Sequence, residues 1–88
     1  MTVKKRADVY LAATDLDWVI LRPGTLSDAP GTGRVTAGPA IPYGDIPRAD
    51  VAATLVALVE HPEVRRTIIE LTEGDQPVHD AIAALAHA

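Results

Sequence analysis

The 88 residues contain no cysteine and no phenylalanine, one tryptophan (Trp18) and two tyrosines (Tyr10, Tyr43). Without cysteine, disulfide frameworks and thiolate metal sites are excluded. A core built without phenylalanine has to be aliphatic, and a hydrophobic content of 48% is ample for one. Basic residues are outnumbered, 8 against 12 acidic, for a net charge of −4. That balance argues against a phosphate-backbone binder, because nucleic-acid domains present a basic face. Lys4, Lys5 and Arg6 form the one basic cluster, and it reads as a solvated helix start. No apolar run nears the roughly 20 residues of a membrane helix. The stretch Met1–Arg6 has no apolar signal region either. The expectation is a cytoplasmic chain with neither nucleic acid nor membrane as partner. At this length a single small domain, 1–88, is expected, with little stability to spare. A glycine-rich turn between a strand and a helix is also missing, so no phosphate cradle of that kind is encoded.

What the chain does have is the run Asp17-Trp18-Val19-Ile20-Leu21-Arg22-Pro23-Gly24. A continuous apolar stretch that stops at Arg-Pro-Gly predicts a strand buried on both faces. Such strands belong to parallel sheets layered by helices, which bind ligands at the carboxyl ends of their strands. The Arg22–Thr25 turn is therefore expected on a ligand-binding rim.

Around this strand the pattern alternates. Val3, Ala7, Tyr10, Leu11 and Thr14 have the spacing of one helix face, predicting a helix over 2–14. Residues 22–47 hold most of the proline and glycine and predict loop with short extended pieces, Arg34–Ala37 among them. Arg48–Glu60 predicts a helix with a stripe of Val51, Leu55, Leu58 and Val59, ended by His61-Pro62. Thr67–Leu71 is β-branched and predicts a strand. Pro77 suits the first position of a last helix, Val78–Ala86, with Val78, Ile82 and Leu85 inward. The predicted order is helix, strand, loop, helix, strand, helix, an α/β layering. Two main strands do not make a parallel sheet covered on both faces. Either the Trp18–Leu21 strand takes neighbours from another subunit or partner chain, or these segments pair differently from a complete domain.

Taken in order, these residues resemble a family. Lys4 through Leu11, with the Ala7-Asp8 pair, and the Trp18–Gly24 strand and turn look like the C-terminal half of atypical short-chain dehydrogenase/reductases, in the NAD(P)-binding, NmrA-like and sugar-epimerase-like branch. Leu26-Ser27-Asp28, Gly31-Thr32-Gly33, Ile46–Ala52 and Ile68–Leu71 are similar to the segments that follow there. The resemblance implies a partial Rossmann-like fold, the C-terminal half of a doubly wound parallel sheet. It implies NAD(P) as cofactor, with Pro23, Gly24, Thr25 and Leu26 against the nicotinamide end. Lys4 matches the family lysine that contacts the nicotinamide ribose and helps acidify a catalytic tyrosine. That tyrosine would stand four residues earlier, outside this sequence, as does the Gly-x-x-Gly-x-x-Gly fingerprint.

Plainer readings stand beside each of these residues. Arg22, a candidate for an anionic substrate group, equally suits an ion pair with Asp17 or Asp28. Arg48, the other substrate candidate, and Asp50 suit pairing with each other or with a loop. Pro30–Gly33 opens no helix and reads as a hairpin turn. His61, His79 and His87 lack metal-ligand spacing and a nearby carboxylate pair. Two functions follow as expectations. One is an NAD(P)-dependent oxidoreductase- or epimerase-like fragment that is not catalytically competent alone. The other is a non-catalytic α/β module that self-associates, as a homo-oligomer, or binds a partner.

Overall fold

A computed structural model describes residues 8–12 and 17–86. The expected α/β class holds, with a mixed sheet in place of a mainly parallel one. Strands β1 (Val9–Ala12), β2 (Trp18–Pro23), β3 (Thr25–Ser27), β4 (Arg34–Gly38) and β5 (Asp45–Pro47) precede helix α1 (Arg48–Glu60). Strands β6 (Thr67–Glu73) and β7 (Gln76–Pro77) and helix α2 (Val78–Leu85) follow. The main sheet has five strands in the order β1-β2-β6-β4-β7, and β3 pairs with β5 in a separate parallel ribbon. Within the main sheet only β2 and β6 run parallel, with Ile20 opposite Ile68 and Leu21 opposite Ile69. The pairs β1–β2, β4–β6 and β4–β7 are antiparallel.

Several expectations are corrected here. The predicted 2–14 helix is contradicted over Val9–Ala12, which form an edge strand; the rest of that segment, with Lys4, lies outside the described residues. Tyr10, placed on an apolar helix face by periodicity, projects from this edge strand and is 61% exposed. Backbone pairing with β2 outweighed local spacing, as tertiary context does for weak propensities. The central strand is not short of neighbours either, since β1 and β6 flank it from within the same chain. Nor is it buried on both faces. Val19, Leu21 and Pro23 are buried while Trp18, Ile20 and Arg22 are half-buried, the alternation of a sheet covered on one side.

The covered side carries the core. Val19, Leu21, Val35, Ile69 and Leu71 of the sheet pack with Ala57 and Leu58 of α1 and Val78, Ala81 and Ile82 of α2. The span of α1 is as expected, and of its expected stripe Leu58 is buried and Val51 and Leu55 pack partly buried against the core, while Val59 does not. Asp50, Thr54, Ala57 and Leu58 are buried, whereas Val59 is 74% exposed. Pro77 caps α2 rather than opening it.

The Pro30–Gly33 segment is not a hairpin, because the strands on either side of it pair elsewhere. It wraps a carboxylate instead. Both oxygens of the buried Asp50 accept from the Thr32 N–H at 3.0 and 3.1 Å, and one accepts from the Gly33 N–H at 2.9 Å. The Gly33 carbonyl in turn accepts the N–H of Val78 at 3.0 Å, joining the first turns of both helices to one loop. Gly33 has φ 71°, a left-handed conformation that glycine adopts without a Cβ penalty.

Candidate functional site

The parallel pair β2–β6 ends at Pro23 and Leu71, and there the chain builds a cleft of about 130 Å³. This is the carboxyl-end rim where open α/β sheets bind ligands. Its floor is Pro23, Gly24, Leu71 and Thr72; Arg22 and Glu70 border it, and Ile41, Pro42 and Tyr43 form a flap across it. Extended backbone leads into the turn because Pro23 fixes φ and cannot continue the strand's hydrogen bonding.

Several contacts hold the flap and the Pro23-Gly24 turn. The Glu70 carboxylate accepts the N–H of Ile41 at 3.0 Å. The hydroxyls of Tyr43 and Thr25 are 2.5 Å apart. The Thr25 N–H donates to the Gly44 carbonyl at 3.0 Å, and the Gly24 N–H donates to Leu71 at 2.8 Å. The last contact is steric. A Cβ on Gly24 would lie 1.9 Å from the Gly44 carbonyl oxygen, so this approach requires glycine. Chemically the cleft offers hydroxyl groups, one carboxylate and apolar walls, which suits a small, partly apolar ligand with hydroxyl or carbonyl groups.

The expected site residues distribute unevenly over this geometry. Pro23 and Gly24 line the cleft, and Thr25 reaches it through Tyr43. Leu26 turns into the β3–β5 ribbon, opposite Ile46. Arg22 borders the cleft, but its guanidinium is 3.0 Å from Asp8, not Asp17 or Asp28. Pairing across β1 and β2 brings Asp8 alongside, which separation in sequence concealed. Arg48 is outside the cleft lining and pairs at 3.0 Å with Asp28 on the surface. Lys4 lies outside the described residues. Tyr43 and Glu70 were not singled out from sequence: Tyr43 lies 18 residues from Thr25, and only the folded loop joins them.

His61 is the C-cap of α1. His61 Nδ1 is 2.9 Å from Glu63 and His79 Nδ1 is 3.6 Å from Glu60, with the two rings 6.1 Å apart where α1 ends beside α2. Each therefore has a carboxylate neighbour that spacing did not reveal.

The NAD(P)H-binding family profile matches residues 1–62. The chain belongs to the NAD(P)H-binding family. Among relatives of the chain, the uncharacterized sugar epimerase YhfK of Bacillus subtilis is 40% identical over 82 residues, covering 93% of this chain and 38% of that protein. In structure it is similar to the oxidoreductase ylbE from Lactococcus lactis, with a TM-score of 0.78 and 25% identity over 85% of this chain and 34% of that one. A Bacillus halodurans protein named for an NAD-dependent epimerase/dehydratase superposes with a TM-score of 0.74 at 32% identity, covering 82% and 35% of the two chains. The chain thus spans little more than a third of the relatives it matches. Its sheet is part of a Rossmann-like fold.

Proposed function

We infer that the chain supplies the nicotinamide-and-substrate wall of an NAD(P)-dependent oxidoreductase- or epimerase-like site. The observation that carries this reading is the cleft at the carboxyl ends of β2 and β6, built on the Pro23-Gly24 turn. Family membership and similarity to oxidoreductase and epimerase structures support it. In this reading Pro23, Gly24 and Thr25 border the nicotinamide, with Leu26 supporting the turn. Tyr43 and Thr25 present hydroxyls to substrate, and Arg22 stands at the margin.

These residues fit one end of the cofactor and not the other. The N–H groups of Gly24 and Thr25 are already donated to Leu71 and Gly44, so the turn makes no phosphate nest. Helix α1 begins at a proline with the Asp50 carboxylate in its first turn, the wrong charge for a pyrophosphate. No reaction step is therefore assigned to this segment alone, and Lys4 retains only its family role.

Amide spectra recorded during NADH titration test this. Weak binding, with shifts confined to Arg22–Leu26 and Ile41–Gly44, is the expected result. Shifts clustered elsewhere would refute the wall assignment, and micromolar affinity would refute the missing phosphate anchor.

A second reading, a non-catalytic module that associates with itself or with another chain, draws on exposed apolar side chains. Tyr10 is 61% and Val59 74% exposed, near opposite sides of the β1 edge. Light scattering across a concentration series distinguishes a dimer from a monomer.

A further inference from the structure

We propose that the outer face of helix α1 is an interface between two copies of this chain, joined by antiparallel packing of α1 against its counterpart about a two-fold axis. This contact gives the self-association reading above its surface and rests on that reading, independently of the cofactor wall. No residue lining the rim cleft lies on α1, so the interface leaves the cleft open.

Helix α1 keeps polar side chains inside and apolar ones outside. Asp50 and Thr54 are buried beside Ala57 and Leu58. Both are satisfied there, Asp50 by the N–H groups of Thr32 and Gly33, and Thr54 by donating its hydroxyl to the Asp50 carbonyl at 2.8 Å. The solvent side carries charge only at its two ends, Arg48 and Glu60. Between them Ala49, Ala52, Val56 and Val59 share one exposed face, and the two valines are 56% and 74% exposed. A surface helix ordinarily turns charged residues to water; one that is apolar on that side as well is a helix that something covers. Single exposed apolar residues are ordinary, but these are contiguous, with no polar side chain among them.

The face is complementary to its own reversal, which selects a second copy as the occupant. Antiparallel pairing centred on Thr54 sets Arg48 opposite the second copy's Glu60, Ala49 opposite its Val59 and Ala52 opposite its Val56, and the same pairs recur at the other end. Each valine then meets an alanine, so the axes can approach to about 8 Å, the close end of helix packing. Opposite charges close both ends, whereas parallel pairing would set arginine against arginine and glutamate against glutamate. Arg48 already reaches Asp28 through Nε at 3.0 Å, and Glu60 lies 3.6 Å from His79, all on the surface. Exposed pairs add little strength. The charges therefore set direction and register, and the valines supply the buried apolar area. Self-matching of this kind is what a two-fold interface requires. A helix of 13 residues gives a contact about 20 Å long, smaller than the about 1,200 Å² of stable complexes. The dimer therefore forms at high concentration and dissociates on dilution.

Sedimentation equilibrium of the full chain over a concentration series is expected to show a reversible monomer–dimer equilibrium. Val56→Lys, at an exposed position, is expected to weaken it at least tenfold with the thermal midpoint of the dilute chain unchanged. If that variant lowers the midpoint, the charge variants decide. Arg48→Glu and Glu60→Arg are each expected to weaken the dimer about fivefold, and the double variant is expected to restore most of the affinity. Cross-linking reads the register in a chain with no cysteine of its own. Oxidising a mixture of Ala52→Cys and Val56→Cys chains is expected to give mainly the mixed disulfide. Ala49→Cys is expected not to cross-link to itself. Its copies would lie about 15 Å apart along the paired axes, beyond the about 7 Å between Cα atoms that a disulfide spans.

A chain that is monomeric at every concentration, as it is if another polypeptide or nothing covers α1, overturns both this interface and the self-association reading. A dimer that keeps its affinity in Val56→Lys and in both charge variants, or that cross-links through Ala49→Cys, overturns the α1 interface alone and leaves self-association by another surface. Neither outcome touches the NADH-dependent shifts at Arg22–Leu26 and Ile41–Gly44, so the cofactor wall stands or falls separately.

Discussion

At the scale of single residues, two side chains show how much the loops depend on particular atoms. Asp50 is 2% exposed and satisfies the N–H groups of Thr32 and Gly33. Replacing it with alanine strands both donors, and buried unsatisfied groups cost about 1–3 kcal/mol. Urea denaturation of Asp50→Ala is expected to show a loss of that size. Asp50→Asn, which keeps one acceptor oxygen, should lose less. Gly24 answers to sterics rather than polarity. Gly24→Ala drives a methyl into the Gly44 carbonyl, and overpacking of this kind costs about 1–3 kcal/mol. Lower thermal stability with altered Tyr43 and Thr25 resonances is the expected signature, and unchanged flap resonances would contradict the contact. Sequence drew attention to Asp50 and to the Pro23-Gly24 turn. It gave no notice of Gly44, Tyr43 or Glu70, whose roles depend on a return of the chain across the sheet.

At the scale of elements, α1 separates boundary from orientation. Proline at both ends dictated its span, while the layer it packs on dictated its rotation. Leu58 and Val59 are adjacent, yet only Leu58 is buried. Leu58→Ala is expected to cost about 2–5 kcal/mol as a core truncation. Val59→Ala should stay within about 0.5 kcal/mol, as for surface substitutions. Comparable losses from both in chemical denaturation would show that the helix is rotated from its described position. Strand β6 was legible from its β-branched residues, since that composition suits a pleated surface wherever it packs. Strand β1 was not. Its apolar spacing suited a helix, and only the unpaired edge of β2 drew it into a sheet. The surface pair Arg48–Asp28 contributes little to holding any element, given exposure of 61% and 91%.

At the scale of the whole molecule, one helix-covered face and one face without a covering helix coexist among the described residues. Edges of such sheets are templates for further pairing. Deleting residues through Ala12 bares the edge of β2 and is expected to cause concentration-dependent association in light scattering. A deletion variant that stays monomeric would show that β1 does not guard the edge. By itself the sequence determined the α/β class, the spans of α1 and α2, the central strand and its rim turn. Those follow from periodicity, proline and glycine, which act over a few residues. It also carried the family resemblance, because motif order survives in the chain regardless of packing. Strand order, the identity of Arg22's partner, the carboxylate-wrapping loop and the Tyr43 flap were decided only in three dimensions. Each joins residues far apart along the chain, and which of them meet is set by the competition among all possible pairings for one core.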